Sequence, residues 1–120
     1  KASLIKYTIN SFLALKVLFF NEIFKVFDSL DENMEWEDFI NIIKIDERMG
    51  DSHMQVPGPD GRFGFGGACF PKDTKAFLNF SKNINAKLKL IEKSISLNNK
   101  IRSKYKTLDE REKQQNVHFI

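Results

Sequence analysis

The sequence predicts an all-α fold of about four helices, with a long first helix and an extended loop before the third. Apolar residues recur at helical spacing over residues 2–29. Shorter sets do so after residues 33 and 71, and no stretch alternates apolar with polar for long enough to make a strand. With 120 residues, 42% of them apolar, the chain can hold one core and is one domain at most.

Leu4, Tyr7, Thr8, Phe12, Leu15, Phe19, Ile23, Phe27 and Leu30 follow the i, i+3, i+4 rule and define the first helix. Leu13, Val17, Leu18, Phe20, Phe24 and Val26 widen the stripe until the helix reads as buried nearly all round. The most apolar run, Phe12 to Phe20, is interrupted by Lys16 and falls far short of the roughly 20 residues a spanning helix needs. It has neither a basic flank nor a small-residue cleavage site, so neither a signal peptide nor a membrane span is expected. The helical pattern begins at Lys1 without a cap. The N-terminus therefore reads as cut from a longer chain or as following disordered residues.

Residues 28–33 form a polar break. Asn33 can cap a second helix, with Glu35, Glu37 and Asp38 in the first turn where the helix dipole favours acids. Trp36, Phe39, Ile40, Ile42 and Ile43 make its apolar face, and it ends near Ile45. Residues 46–69 follow as a loop, whose Val56-Pro57-Gly58-Pro59-Asp60-Gly61 stretch excludes regular structure. Over about 20 residues without an element is rare in a compact domain unless the segment binds something. The third helix starts near Pro71 and carries Ala76, Phe77, Phe80 and Ile84, with a break at Asn83-Ile84-Asn85. A fourth runs over about residues 87–104, with Leu88, Ile91 and Ile95 on one face and Leu90, Leu97 and Ile101 on the adjoining one. Leu108 to Ile120 is mostly polar and predicts weak or frayed helix.

The formal net charge is +3. Basic residues gather late (Lys82, Lys87, Lys89, Lys93, Lys100, Arg102, Lys104, Lys106), and such a helical face is ordinarily solvated surface. No aromatic–basic interleaving accompanies it, so nucleic acid is not an expected partner. Without a second cysteine or paired histidines, no metal site is expected. A single cysteine excludes an internal disulfide and points to a reducing, cytoplasmic compartment.

That cysteine, Cys69, lies in Gly64-Phe65-Gly66-Gly67-Ala68-Cys69-Phe70-Pro71-Lys72-Asp73. The glycines let the backbone turn tightly and approach a ligand. Pro71 suits the first helical position, which sets Cys69 just ahead of a helix N-terminus, where the macrodipole favours a thiolate. Asp73, in the first turn, brings a carboxylate near the sulfur. The segment reads as the seat of a nucleophilic cysteine, the plainer alternative being a small buried cysteine beside a glycine turn. It is not a dinucleotide fingerprint, because Cys69 stands where the last glycine belongs and no strand precedes it. Lys6 and Asn10 sit one turn apart on one face of the first helix, within an apolar stripe. A partly buried lysine there is costly unless paired or at work; otherwise it snorkels beside a surface asparagine.

FGFGGACFPKD, residues 63–73, resembles the cysteine segment of the UDP-glucose/GDP-mannose dehydrogenase family, of the form GFGG(S/A)CFPKD. LIKYTINSFLA, from Leu4 to Ala14, is similar to that family's (E/S)LIKYxxNxFLAxK helix, and the likeness continues through Asn21-Glu22-Ile23. Ile45-Asp46-Glu47-Arg48-Met49-Gly50 is similar to its (L/I)D(P/x)R(I/L)G turn. All three stand in the family's order.

The resemblance implies a dehydrogenase that uses two NAD molecules in succession to oxidise the C6 alcohol of a nucleotide sugar to a carboxylate. It assigns residues 1–120 to the single central, dimerisation domain. The family's NAD-binding Rossmann domain and its C-terminal UDP-binding domain have no counterpart here, so these residues are expected to be inactive alone. It implies a homodimer through the first helix, whose phenylalanines offer more apolar surface than the short helices can cover. UDP-glucose is the expected substrate, the HMQVPGPDG loop favouring it over GDP-mannose or a UDP-N-acetyl sugar. A non-catalytic helical dimerisation module that keeps the motif is the rival of another class.

The resemblance also implies tasks. Cys69 takes the aldehyde as a thiohemiacetal, hydride leaves to the second NAD, and water hydrolyses the resulting thioester. Asp73 activates or positions that water, Lys6 steadies negative charge on oxygen, and Asn10 holds a water or sugar oxygen. Arg48 matches an arginine that reaches across the dimer to the other subunit's nucleotide sugar, its alternative being a helix-end cation. Residues 53–67 should lie over the sugar nucleotide, with Phe65 and Gly66 closest. Lys72 either touches ligand phosphate or is a solvated helix-start lysine. His53 reads as a surface histidine.

Overall fold

The computed structural model describes residues 2–30 and 33–119, with nothing stated of the Ala2 side chain. Among these residues every regular element is helical: α1 (Ala2–Ser29), α2 (Trp36–Ile43), a 3-10 turn (Glu47–Met49), α3 (Cys69–Asn83), α4 (Lys89–Arg102) and α5 (Glu110–Gln114). The all-α class, the long first helix and the extended loop before the third helix stand as expected.

α1, α3 and α4 pack on one another in pairs. Two small apolar clusters line α1. Toward its C-terminal end, Phe20, Ile40, Met54 and Val56 are buried, with Ile23, Phe24, Trp36 and Phe39 packed around them. Trp36 meets Phe24 edge-on at 5.1 Å and Phe27 at 5.4 Å, and its indole N–H donates to the Met54 carbonyl at 3.2 Å. This ring packing sets where α2 begins. Its N-cap is Glu35, without a side-chain bond, and Asn33, two residues back in a bend, does not cap it. The second cluster, Ala14, Leu18 and Phe65, joins mid-α1 to the glycine loop, with Val17, Phe70 and Ile101 against it.

Helical periodicity located α1 but not its inward side. Its buried residues are Ser11, Ala14, Leu18, Phe20 and Asn21, whereas Leu4, Ile5, Ile9, Phe12, Phe19 and Val26 are exposed. The helix is thus half-covered rather than buried all round. By length and composition alone, Ser3–Ser29 is long and apolar enough to cross a membrane, which the Phe12–Phe20 run did not suggest. Its sides are not uniformly apolar, however: Asn21 is buried, and Lys16 Nζ donates to the Met49 carbonyl at 2.5 Å.

α3 begins at Cys69, so Pro71 is its third residue rather than its first. Any of the first helical positions tolerates proline, since their N–H groups have no intrahelical acceptor. The apolar faces expected of α3 and α4 also differ. Phe80, Ile84, Leu90 and Leu97 are exposed, while the buried residues are Asp73, Thr74 and Ser81 on α3 and Ser94, Asn98 and Arg102 on α4. The inward line of α4 is polar because a stretch of irregular loop backbone runs beneath it. Buried N–H and C=O groups there need hydrogen-bond partners.

Candidate active site

That loop backbone is residues 63–67. The Gly64 N–H donates to Asn21 Oδ1 at 2.6 Å and the Gly67 N–H to Glu112 Oε2 at 3.2 Å. Asn98 serves Phe65 twice, accepting from its N–H at 2.7 Å and donating to its carbonyl at 2.9 Å. The Phe63 N–H donates to the Tyr105 hydroxyl at 2.8 Å, and Arg102 Nη1 donates to the Phe63 carbonyl at 3.2 Å. Gly64 and Gly67 have φ of +78° and +77°, where a side chain is strained. At Gly66 the constraint is space, because a Cβ would run into the Arg102 guanidinium and the Glu112 carboxylate.

Arg102 and Glu112 are 2% and 0% exposed. Arg102 Nη2 donates to Glu112 Oε2 at 2.6 Å and to Asp60 Oδ2 at 2.7 Å, and lies 3.4 Å from Asp109 Oδ2. Asp60, Asp109 and Glu112 are close enough together to hold a cation, and the guanidinium is that cation. Burial by itself would lower the Arg102 pKa, but hydrogen bonds and charge from Asp60 and Glu112 outweigh it and raise it. Burial likewise pushes the Asp60 carboxyl up, and Arg102 with the Arg62 N–H holds it below the usual range. The sequence reading missed this network, placing Arg102 on a solvated face and expecting a frayed end where α5 forms. The readable signal was Asp109-x-x-Glu112, a capping box whose two reciprocal bonds are both made.

On the other side of the turn, Cys69 is exposed at the first position of α3. Asp73, one turn on, is 7% exposed. Its Oδ2 accepts from Asn10 Nδ2 at 2.6 Å, and its Oδ1 lies 3.7 Å from Lys6 Nζ. Helix positions i and i+4 hold their Cβ atoms about 5–6 Å apart, so Cys69 neighbours this cluster. The structure thus brings α1 and α3 together at the Lys6, Asn10 and Asp73 side chains. Contrary to expectation, the Lys6 side chain is 63% exposed. With the ammonium so exposed and 3.7 Å away, the pair adds little stability, and an ammonium with three donors keeps others free for a ligand.

The remaining candidates lie apart from this cluster or face inward. Arg48, its side chain 89% exposed, makes a bidentate pair with Asp46 at 2.9 and 2.6 Å. Its 3-10 turn is tied to Lys16, about 15 Å along α1 from Lys6 at 1.5 Å per residue. Phe65 is 3% exposed, its ring in the Ala14–Leu18 cluster. Lys72 Nζ donates to Gln115 Oε1 at 2.8 Å. His53 is half-buried rather than on the surface, its ring 5.4 Å from that of Phe70 and Nδ1 2.8 Å from Ser52 Oγ. Burial, then the charge of Lys16, lowers its pKa. A cleft of about 550 Å³ between α2 and residues 51–55 is lined by Trp36, Ile40, Lys44 and His53 among others, and by none of the catalytic or sugar-binding candidates.

The glycine loop does not fit a dinucleotide. Cradling a pyrophosphate needs free backbone N–H groups, and those of Gly64, Phe65 and Gly67 are taken by Asn21, Asn98 and Glu112.

Residues 1–100 match the model of the UDP-glucose/GDP-mannose dehydrogenase family, central domain. The chain is 38% identical over 101 residues to the UDP-glucose 6-dehydrogenase of Rickettsia typhi, covering 84% of this chain and 21% of that protein. It is 36% identical over 101 residues to the UDP-glucose 6-dehydrogenase TuaD of Bacillus subtilis, covering 84% and 20%. To the UDP-glucose 6-dehydrogenase of Rhizobium meliloti it is 35% identical over 97 residues, covering 81% and 21%. The chain therefore spans about a fifth of the length of these relatives. No solved structure matches it.

Proposed function

This chain belongs to the UDP-glucose/GDP-mannose dehydrogenase family, and on that premise we propose that it is the central, cysteine-bearing domain of an NAD-dependent oxidoreductase converting UDP-glucose to UDP-glucuronate. The observation that carries the reading is the meeting of Lys6, Asn10 and Asp73 one helical turn from Cys69. A structural cysteine needs no such company. The names of these relatives favour UDP-glucose over GDP-mannose or a UDP-N-acetyl sugar.

NAD supplies the hydride acceptor in this chemistry, and its site is assigned to parts of the protein other than these residues; the 120-residue chain alone is then inactive. The residues present handle the sugar carbon. The Cys69 thiolate adds to the C6 aldehyde, forming a C–S bond as the carbonyl electron pair moves onto oxygen. The Lys6 ammonium and Asn10 amide donate to that developing oxyanion. At the thioester stage Asp73 takes a proton from water as it attacks the acyl carbon, and the thiolate leaves. Arg48, Phe65, Gly66 and Lys72 are assigned to nucleotide-sugar binding, Arg48 across a homodimer. The dimer is supported by the uncovered apolar side of α1. A cytoplasmic location is supported by the single unpaired cysteine; no nucleic acid, membrane or metal takes part in this reading.

The test is turnover of UDP-glucose with NAD by the protein that carries this chain. Cys69→Ala is expected to abolish acid formation, and Asp73→Asn to slow it about 10²–10⁴-fold. Wild-type turnover by Cys69→Ala would remove Cys69 from the chemistry, and no turnover by the wild-type protein would leave the non-catalytic helical-module reading in its place.

A further inference from the structure

The family match ends at residue 100, yet the groups that hold the cysteine turn continue to residue 115. Glu112 is the clearest case. A capping box requires only one of its oxygens, and Oε1 accepts from the Asp109 N–H at 3.0 Å. Oε2 is directed elsewhere, to Arg102 and to the N–H of Gly67, two residues before Cys69. Beyond the cysteine, Lys72 is tied to Gln115. α5 is closed by the Val117 N–H on the Glu112 carbonyl at 2.9 Å, and Val117 itself is 5% exposed. Bonds from this segment therefore bracket Cys69 on both sides, and Gly66 leaves no room between segment and turn.

We propose that residues 102–117 form a strap that positions Cys69, with Glu112 as its principal positioning residue. This rests on the reading of Cys69 as a nucleophile. Holding Gly67 fixes the entry to α3, and with it the placing of the sulfur at the helix N-terminus, where an anion is favoured.

The experiment measures the second-order rate of Cys69 alkylation by iodoacetamide, and amide exchange along the chain, for wild type and Glu112→Ala. A hydrogen bond to a charged group shifts a local opening equilibrium by about tenfold or more, so Gly67 exchange should quicken by that factor. Losing the helix-end placement should slow alkylation by about two- to fivefold. Glu112→Gln, which keeps an acceptor for the Gly67 N–H, should recover most of the alkylation rate. If Glu112→Ala fails to fold, Gln115→Ala carries the test. It removes an exposed contact, and should slow alkylation by up to about twofold while the melting midpoint stays put. Unchanged alkylation, with faster exchange confined to residues 102–117, overturns the proposal: the strap would then stabilise only itself. The readout is the thiol rather than turnover, so failure of the dehydrogenase reading, seen in Cys69→Ala, is separately visible.

Discussion

Gly66→Ala is a sharp probe of the arrangement behind the cysteine turn. The added methyl would meet Arg102 and Glu112, and neither can swing into solvent, since they are 2% and 0% exposed. Either the turn shifts, at the usual overpacking cost of about 1–3 kcal/mol, or the buried ion pair parts, which costs about 3–5 kcal/mol. We expect about 3 kcal/mol. Gly67→Ala is the control one residue on. Its φ of +77° costs a side chain about 1–2 kcal/mol, but the nearest atom to a new methyl there is Arg111 Cδ at 4.0 Å. Urea denaturation followed by circular dichroism measures both, and about 3 kcal/mol corresponds to roughly 10 °C or more in melting midpoint for a chain of this size. If Gly66→Ala costs no more than Gly67→Ala, the Arg102–Glu112 pair does not press on the turn and the reasoning is wrong.

The same network predicts an acid response. The Asp60 pKa is lowered in the folded state, so its contribution to stability is full above the unfolded value of about 4 and is lost as pH falls through the lower folded one. A melting midpoint flat from neutrality to about pH 5 should drop below about pH 4, less steeply in Asp60→Asn. Arg48→Ala should leave the melting midpoint unchanged, since the Asp46 pair is in open solvent. It should nevertheless lower turnover of the assembled enzyme; unchanged turnover removes Arg48 from the binding set. Phe12→Glu, at a position 64% exposed on the uncovered side of α1, should convert the proposed dimer into monomers in sedimentation velocity.

Helices α1 to α4 were legible in the sequence because apolar spacing reports on them, and the cysteine segment because proline, glycine and acid stand at fixed offsets around Cys69. What periodicity could not report is an inward face built from polar residues. Ser94, Asn98 and Arg102 repeat every four residues on α4 as regularly as any leucine stripe, but apolar spacing does not register a polar row, and Arg102 was counted with the solvated basic face while Leu90 and Leu97 were assigned inward. Glu112 was hidden for the same reason, in a tail whose composition suggests fraying. The meeting of Asn10 with Asp73, 63 residues away in sequence, is a product of helix packing that local spacing cannot give. It entered through family resemblance alone.

The most direct measurement is intact and peptide mass spectrometry of the enzyme carrying Asp73→Asn, quenched in acid during turnover of UDP-glucose with NAD. Slowed hydrolysis should let an acyl adduct accumulate on Cys69 and on no other residue. A sulfur that stays unmodified while the variant still makes acid would contradict the account.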